Sequence, residues 1–224
     1  MRSGGPAIGF QTVTSQLYAD SSLTMGFVYT DEAIQQSAQF PTVAVENGLN
    51  KNPQMIMWDP ATYPQVKTIA DLGKTSATVK FFSGAAFMSY FTSAGILNKA
   101  QTDGSYDGTP VSFVAANGAA AERGFGSAEP YIYQNELKQW GKPVAYDYLN
   151  DAGWNSYAQS LAVTADHLSA LAPCLKLLVP IIQQASVDFS PTRHRRTISF
   201  GISSSGTTTA GSTAQESPRT QRTR

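Results

Sequence analysis

The chain has 224 residues, of which 42% are hydrophobic, and its 16 Lys and Arg balance 16 Asp and Glu. It contains one cysteine and two histidines, which excludes an internal disulfide framework and a zinc site built from Cys and His ligands. A formal net charge of zero argues against a nucleic-acid-binding face covering the whole domain. Because no unbroken apolar run of about 18 residues occurs, the sequence predicts no membrane span.

The zero net charge is the sum of two unlike parts. Residues 1–188 contain 10 Lys and Arg against 15 Asp and Glu, whereas residues 189–224 contain six Arg and one Glu. The second part also has 15 Ser and Thr among its 36 residues and few large apolar residues. We therefore expect the tail 190–224 to be disordered. The composition of this tail is typical of an out-of-frame C-terminus or of a weak nucleic-acid-binding arm. We favour the first and expect no nucleic-acid partner.

The N-terminal segment 1–24 is also atypical. It contains Arg2 but no continuous apolar stretch of the length that a signal peptide needs, so it predicts no export signal. On this observation alone the chain would be cytoplasmic. A truncated gene would give the same pattern.

Between these ends, predicted strands alternate with predicted helices. Short apolar runs ended by turn residues predict strands at 23–29, 41–45, 54–58, 77–82, 111–114, 144–149 and 161–164. Helical patterns begin at 30 and cover 69–74, 83–94, 119–123, 131–140 and 169–185, with prolines interrupting the last. This alternation predicts an α/β fold with mostly parallel sheets, in which ligands lie beyond the carboxyl ends of strands.

Two strand-to-helix junctions fit such a ligand position. Thr30 follows the first strand as a candidate N-cap, and Asp31 follows it in the first helical turn, where the helix dipole favours an acid. Ser83 and Gly84 follow the fourth strand and can offer a hydroxyl and free N–H groups to an anionic or carbonyl group. Each pair also fits a plain helix cap, and both interpretations stay open.

Five further residues are candidate cleft residues. Trp58 and Asp59 can stack on and bind a planar ligand, or can be a core tryptophan and a turn aspartate. Glu129, which follows a run of small residues, is the best single candidate carboxylate, although it also fits the acidic start of a helix. Tyr131 and Trp154 can line a pocket, although most such aromatics lie in the core.

Five segments resemble, in their order and spacing, the solute-binding proteins of ABC importers. They are GFVYTDEA (26–33), VKTIADLGK (66–74), FSG (82–84), GSAEPY (126–131) and LAP (171–173). Within that class the likeness is to the nitrate/sulfonate/taurine and thiamine-pyrimidine-precursor group. It covers residues 25–189, and its most telling parts are the Ile-x-Asp-Leu-Gly-Lys turn and the small-small-Glu-Pro-Tyr segment.

The resemblance implies a two-lobed periplasmic-binding-protein-like fold with a ligand cleft between the lobes. It assigns 25–57 plus 151–189 to lobe one and 58–150 to lobe two. Family members begin with an export signal, a strand, a loop and a helix, and they continue beyond the position of Phe189 with further helices. We therefore expect lobe one to be incomplete and the chain to be poorly soluble or of low stability, because a missing strand exposes a sheet edge.

The function that the resemblance implies is non-enzymatic capture of a small organic molecule for delivery to an ABC transporter permease. It also implies a monomer without a metal or cofactor, in the periplasm or at the cell surface. Because only 14% of the residues are charged and no Arg or Lys stands at a candidate position, we favour a pyrimidine-like or other aromatic amine, held by Glu129 and aromatic side chains.

Two alternatives remain. The first is a nonfunctional gene remnant, which both unusual ends favour. The second, less favoured, is an enzyme similar to pyrimidine-phosphate synthase, a family of related fold with a Cys-rich motif, an active-site His and a pyridoxal-phosphate Lys. This chain has one Cys and one His in its body, neither in a comparable setting.

Overall fold

The structure, a computed structural model, describes residues 11–189. The α-helices of this part are α1 Val13–Ala19, α2 Thr30–Gln35, α3 Ile69–Leu72, α4 Ala86–Ser93, α5 Val111–Ala115, α6 Glu129–Tyr131 and α7 Leu168–Phe189. A 3₁₀ helix covers Lys99–Gln101, and a π-helix covers Ile132–Glu136. The strands are β1 Gly26–Val28, β2 Thr42–Asn47, β3 Gln54–Trp58, β4 Thr78–Lys80, β5 Thr102–Asp103, β6 Ala120–Phe125, β7 Ala145–Tyr148 and β8 Ser160–Thr164. The expectations for 1–10 and for the tail 190–224 lie outside the described residues.

The strands form two sheets whose strands are connected through helices, so the predicted α/β class is confirmed. The first sheet has the order β1-β8-β2, and both of its pairings are antiparallel. The second has the order β5-β4-β6-β3-β7, in which β4 runs parallel to β5 and β6 while β3 runs antiparallel to β6 and β7. The expectation of mostly parallel sheets is wrong, because the strands that carry the chain into and out of the second sheet pair antiparallel with their neighbours.

Two crossovers connect the sheets. The first joins Asn47 at the end of β2 to Gln54 at the start of β3, and the second joins Tyr148 at the end of β7 to Ser160 at the start of β8. All five residues of β3 are buried, and β3 pairs with β6 and β7. The predicted lobe boundary at 57/58 falls inside this strand of the second sheet, and the assignment of the two lobes stays a prediction.

A separate cluster of buried apolar side chains covers each face of the second sheet. One cluster contains Trp58, Leu72 and Phe91 among other residues, and it fills the space under α3 and α4. The other contains Met55, Met57 and Phe113 beside the segment that follows α6. Because both faces are covered, β3 is apolar at four consecutive positions after Gln54, whereas β6 carries the buried charged residues Glu122 and Arg123.

Two neighbouring elements exchange the identities that the sequence predicts. Residues 111–114 form helix α5 rather than a strand, and residues 120–123 of the predicted helix 119–123 belong to strand β6. Pro110 directly precedes α5 with a backbone φ of −75°, which suits a helix start. The alanines of β6 have high helix propensity, but pairing with β3 and β4 on both sides outweighs it.

The segment before β1 contains a helix that the sequence analysis did not predict. Thr12 caps α1 by accepting a hydrogen bond from the backbone N–H of Ser15 at 3.3 Å. Val13 and Leu17 of α1 lie over Gly26, where a larger residue would collide with Val13. Helix α1 therefore covers the first strand of the first sheet.

Helix α7 differs from the prediction in two ways. It continues through Pro173 and Pro180, which the sequence analysis expected to interrupt it. It is also, within residues 11–189, a helix long and apolar enough to cross a membrane by length and composition, and 6% of its most apolar stretch is buried. The expectation of no such segment rested on an unbroken apolar run, which Lys176 prevents. One helix of this kind is weak evidence for a span.

Candidate functional site

A pocket of about 680 Å³ opens between elements of the two sheets. Thr30, Asp31 and Ile34 of α2 line it from the side of the first sheet. Tyr90 of α4 lines it from the side of the second sheet, and the second crossover contributes residues 153–157. This volume lies within the range of small-molecule sites, which are commonly found between lobes or domains.

The junction between β1 and α2 is tied to the second crossover. Tyr29, not Thr30, is the N-cap of α2, and it makes no side-chain capping hydrogen bond. The hydroxyl of Thr30 instead donates to the carbonyl oxygen of Tyr157 at 2.8 Å, and the Thr30 backbone N–H donates to the same oxygen at 3.2 Å. The expected capping role of Thr30 is therefore wrong, because its hydroxyl fixes the crossover against the helix.

Asp31 supplies a carboxylate to the pocket. Burial raises its pKa above the usual range, although the nearby helix N–H groups, the Trp154 indole and the positive charge of Arg123 act in the opposite direction. Its Oδ1 atom is buried and has no hydrogen-bond partner among the described residues. A buried acceptor without a partner is costly, so a ligand donor at this position would be stabilising.

Trp154 and Tyr90 form the aromatic side of the pocket. Their ring centroids are 5.4 Å apart, with an angle of 41° between the ring planes. The indole Nε1 of Trp154 is buried near the Asp31 carboxylate, whose pKa it lowers, but within residues 11–189 it forms no hydrogen bond of normal geometry. Gly153 has a φ of +97°, and a Cβ atom there would lie 2.8 Å from the Tyr90 hydroxyl oxygen. The close approach of crossover and α4 therefore depends on glycine at this position.

Arg123 is a charged residue near the pocket that the sequence analysis missed. It is 8% exposed, and its Nε donates to Gln54 Oε1 at 3.1 Å. Its positive charge acts on the side chains of Tyr29 and Asp31, so it lies close to the α2 wall of the pocket. The sequence offered one indication, because Arg123 is one of two arginines in residues 1–188, where the other basic residues are lysines.

The structure places Trp58 and Asp59 away from the pocket. Trp58 is 1% exposed and belongs to the core of the second sheet. Asp59 accepts hydrogen bonds from the Ala61 backbone N–H at 3.0 Å, from Thr62 Oγ1 at 3.0 Å and from Lys142 Nζ at 2.7 Å. These partners are those of a core tryptophan followed by a turn aspartate.

Ser83 and Gly84 form the exposed turn before α4. Gly84 has a φ of +83°, and the N-cap of α4 is Ala85 rather than either of them. Neither residue lines the pocket, which α4 reaches through Ala86 and Tyr90. The pocket therefore lies beside this helix, but the residues of α4 that line it are Ala86 and Tyr90.

Glu129 and Tyr131 also lie outside the pocket. Glu129 Oε2 accepts the backbone N–H of Phe125 at 2.8 Å and closes the bend after β6. Tyr131 is 60% exposed in α6. Of the expected site residues, the pocket brings together Thr30, Asp31 and Trp154. Within the described part of the chain, no group of three or more His, Cys, Asp or Glu side chains is placed to hold a metal ion.

Comparison with known proteins identifies the fold but no sequence family. No protein-family model and no curated protein matches the chain. Among solved structures, the chain is similar to a binding component of an ABC transporter from Wolinella succinogenes complexed with lysine, at 17% identity and a TM-score of 0.54 over 81% of this chain and 73% of that one.

Two other structures give the same result. The periplasmic aliphatic sulphonate binding protein SsuA of Escherichia coli matches at 17% identity and a TM-score of 0.57, over 83% of this chain and 59% of that one. An ancestral arginine-binding protein bound to arginine matches at 13% identity and a TM-score of 0.52, over 79% and 73% of the two chains. The chain therefore has the periplasmic-binding-protein-like fold. Identities this low establish the fold alone, and the sulfonate subgroup stays a prediction.

Proposed function

We propose that the chain is the substrate-binding component of an ABC importer and captures a small organic molecule in the pocket between its two sheets. The observation that carries the proposal is the position of Asp31. Its unpaired oxygen lies in a pocket whose walls come from α2 on one side and from α4 on the other. A ligand that contacts both walls binds the closed arrangement better than an open one, and so shifts the equilibrium towards closure.

The ligand class that fits this pocket best is an aromatic amine such as an aminopyrimidine. Its amino group would donate to Asp31, its ring nitrogen would accept from the Trp154 indole, and its ring would pack against Tyr90 and Tyr157. Asp31 therefore takes the role that the sequence analysis gave to Glu129. No Lys or Arg lines the pocket, which disfavours a doubly charged anion.

The remaining parts of the proposal follow from the fold class. A binding protein of this kind delivers its ligand to the permease of the transporter, acts as a monomer in the periplasm or at the cell surface, and catalyses no reaction. The apolar lining and the paired donor and acceptor suit binding rather than chemistry.

A thermal-shift titration of the full chain tests the proposal. 4-Aminopyrimidine should raise the melting temperature, whereas taurine and lysine serve as comparison probes of a sulfonate and an amino acid. Asp31→Asn should remove the shift, because a neutral amide replaces the charged acceptor of the ligand's amino group. Asp151→Asn is the matched control, since Asp151 lies on the second crossover, outside the pocket lining, and forms an exposed salt bridge with Lys51.

The outcomes separate the candidates. A shift with taurine or lysine alone would support an importer component of another specificity and would contradict the proposed ligand class. The absence of a shift with all three probes would contradict the proposed function and would favour the gene remnant. An equal loss in both variants would exclude Asp31 as the ligand acceptor.

A further inference from the structure

One serine of the pocket is hydrogen-bonded to a buried amide outside it. Ser156, on the second crossover, lines the pocket, and its Oγ accepts a hydrogen bond from Asn52 Nδ2 at 3.2 Å. Asn52 lies on the first crossover and is 1% exposed. The contact therefore links the pocket lining to a side chain that solvent and ligand do not reach.

The start of β3 determines which way the Asn52 amide points. Asn52 Oδ1 accepts the backbone N–H of Gln54 at 3.0 Å, and both groups are buried. The reverse orientation of the amide would place its NH₂ group against this N–H, so that two donors would face each other without an acceptor. The Nδ2 group must therefore face Ser156, and an amide NH₂ group can only donate.

The Ser156 hydroxyl consequently acts as an acceptor towards Asn52 and keeps its proton for another partner. A serine hydroxyl has one proton and two lone pairs, and Asn52 occupies one of the lone pairs. Within residues 11–189 the proton has no acceptor. Because Ser156 is half-buried and lines the pocket, the pocket is the side on which this donor is open to a ligand.

The segment that carries Ser156 is tied to the helix that carries Asp31. The carbonyl oxygen of Tyr157, the next residue, accepts from the hydroxyl of Thr30 at 2.8 Å and from its backbone N–H at 3.2 Å. Thr30 directly precedes Asp31, and Trp154 lies two residues before Ser156. Asp31 Oδ1, Trp154 Nε1 and the Ser156 hydroxyl therefore lie on two short segments that are bonded to each other, and within residues 11–189 the first two atoms have no partner of normal geometry.

We propose that Ser156 is a specificity-determining residue, which selects ligands that carry a second hydrogen-bond acceptor. The pocket presents one acceptor, from Asp31, and two donors, from Trp154 and Ser156. The complementary edge of a ligand has one donor and two acceptors. An aminopyrimidine with a ring carbonyl has this edge, because its amino group donates while a ring nitrogen and the carbonyl oxygen accept. The inference rests on the proposed function and narrows its ligand class to aminopyrimidines that carry such a carbonyl.

Calorimetric titration of the full chain with two ligands tests the inference. Cytosine and 4-aminopyrimidine share the amino group and the adjacent ring nitrogen, and cytosine adds a carbonyl oxygen beside that nitrogen. Cytosine should bind about fivefold more tightly, as expected for one neutral hydrogen bond. Ser156→Ala should reduce this preference to less than twofold and should change the affinity for 4-aminopyrimidine little. Ser93→Ala is the matched control, because Ser93 is exposed on α4 outside the pocket lining, and it should keep the preference.

Reversing the polarity of the Asn52 contact separates a donor role of Ser156 from a role in packing. Asn52→Asp keeps the shape of the side chain but replaces the NH₂ group by an oxygen, which at pH 8 accepts the Ser156 proton. The preference for cytosine should then disappear although Ser156 is still present. Circular dichroism shows whether this variant folds, and if it does not, Ser156→Ala decides alone.

The outcomes distinguish this inference from the proposed function. Binding of 4-aminopyrimidine without tighter binding of cytosine would overturn the role of Ser156 and leave the binding function standing. A preference for cytosine that survives in Ser156→Ala, or in folded Asn52→Asp, would also overturn it. If neither ligand binds, the proposed function fails and the inference fails with it.

Discussion

The hydroxyl of Tyr133 donates a 2.7 Å hydrogen bond to the carboxylate of Glu122 on the face of β6 opposite Arg123. Ser112 Oγ donates a second, longer hydrogen bond of 3.3 Å, and the residue Glu122 is 0% exposed. Burial raises the pKa of this carboxyl from 4.5 to about 7, even though both hydroxyls favour the charged form. Glu122 therefore takes up its proton near neutral pH when the chain is folded.

Stability should fall as pH rises because of this one group. Between pH 4.5 and about 7 the folded chain binds a proton that the unfolded chain does not, so the free energy of unfolding decreases with rising pH. Glu122→Gln should be close to wild type at pH 5 and more stable than wild type at pH 8, by up to about 3 kcal/mol. Urea denaturation at the two pH values measures both differences.

The control for this prediction is Glu136→Gln. Glu136 is exposed at the end of the π-helix Ile132–Glu136 that follows α6, so its replacement should change stability little at either pH. The same difference from wild type at pH 5 and pH 8 in Glu122→Gln would show that Glu122 does not titrate in this range.

Gly153→Ala should damage the pocket and the stability of the chain together. A Cβ atom at this position would lie 2.8 Å from the Tyr90 hydroxyl, and the backbone φ is +97°. The clash and the backbone strain together should cost about 1–3 kcal/mol in the free energy of unfolding. Thermal melting measures the stability loss, and the change in the environment of Trp154 should alter the tryptophan fluorescence.

Gly95→Ala separates the two causes. Gly95 follows α4 with a φ of +70°, but a Cβ atom there would have no neighbour within 4 Å. This variant carries the backbone strain without the clash, so it should lose less stability and leave the fluorescence unchanged. Equal effects of both variants would show that contact with Tyr90 is unimportant.

The sequence predicted the strands that are marked by their own local pattern of apolar residues. Strand β3 has the predicted bounds, and β8 differs by one residue, because each is an unbroken apolar run ended by turn residues. Helix α5 and strand β6 were exchanged, because the short run at 111–114 has no local feature that distinguishes the two states. Their identities follow from which segment can enter the sheet between β4 and β3.

The candidate site was predicted where it follows a strand-to-helix junction and missed where it depends on tertiary contacts. Thr30 and Asp31 were recognised because α2 begins directly after β1. Arg123 was not, since its neighbours Tyr29 and Phe82 are distant in sequence and meet it only after the two sheets form. The same limit explains Asp59 and Glu129, whose carboxylates are used by backbone N–H groups close to them in the chain.

Asp59→Ala should be among the most destabilising single changes in the second sheet. The Asp59 side chain is 3% exposed, and Lys142 Nζ lies 2.7 Å from it while also lying 4.2 Å from the ring centroid of Trp140. Burial raises the pKa of Asp59, but Lys142 and the donors of the turn outweigh it, and the net pKa is lowered. Removing the carboxylate would leave these donors unpaired, at a cost of about 2–4 kcal/mol.

The pH dependence and a control make this prediction specific. Because the folded pKa is lowered, the stabilisation by Asp59 is present above the usual pKa of 3.8 and is lost as pH falls below it. The difference between wild type and Asp59→Ala in urea denaturation should therefore shrink in acid. Asp71→Ala removes a carboxylate that is also bonded to a lysine at 3.0 Å, but whose partner Lys74 is 76% exposed, and should cost much less than Asp59→Ala. Equal losses in the two variants would mean that burial of Asp59 does not strengthen its interactions.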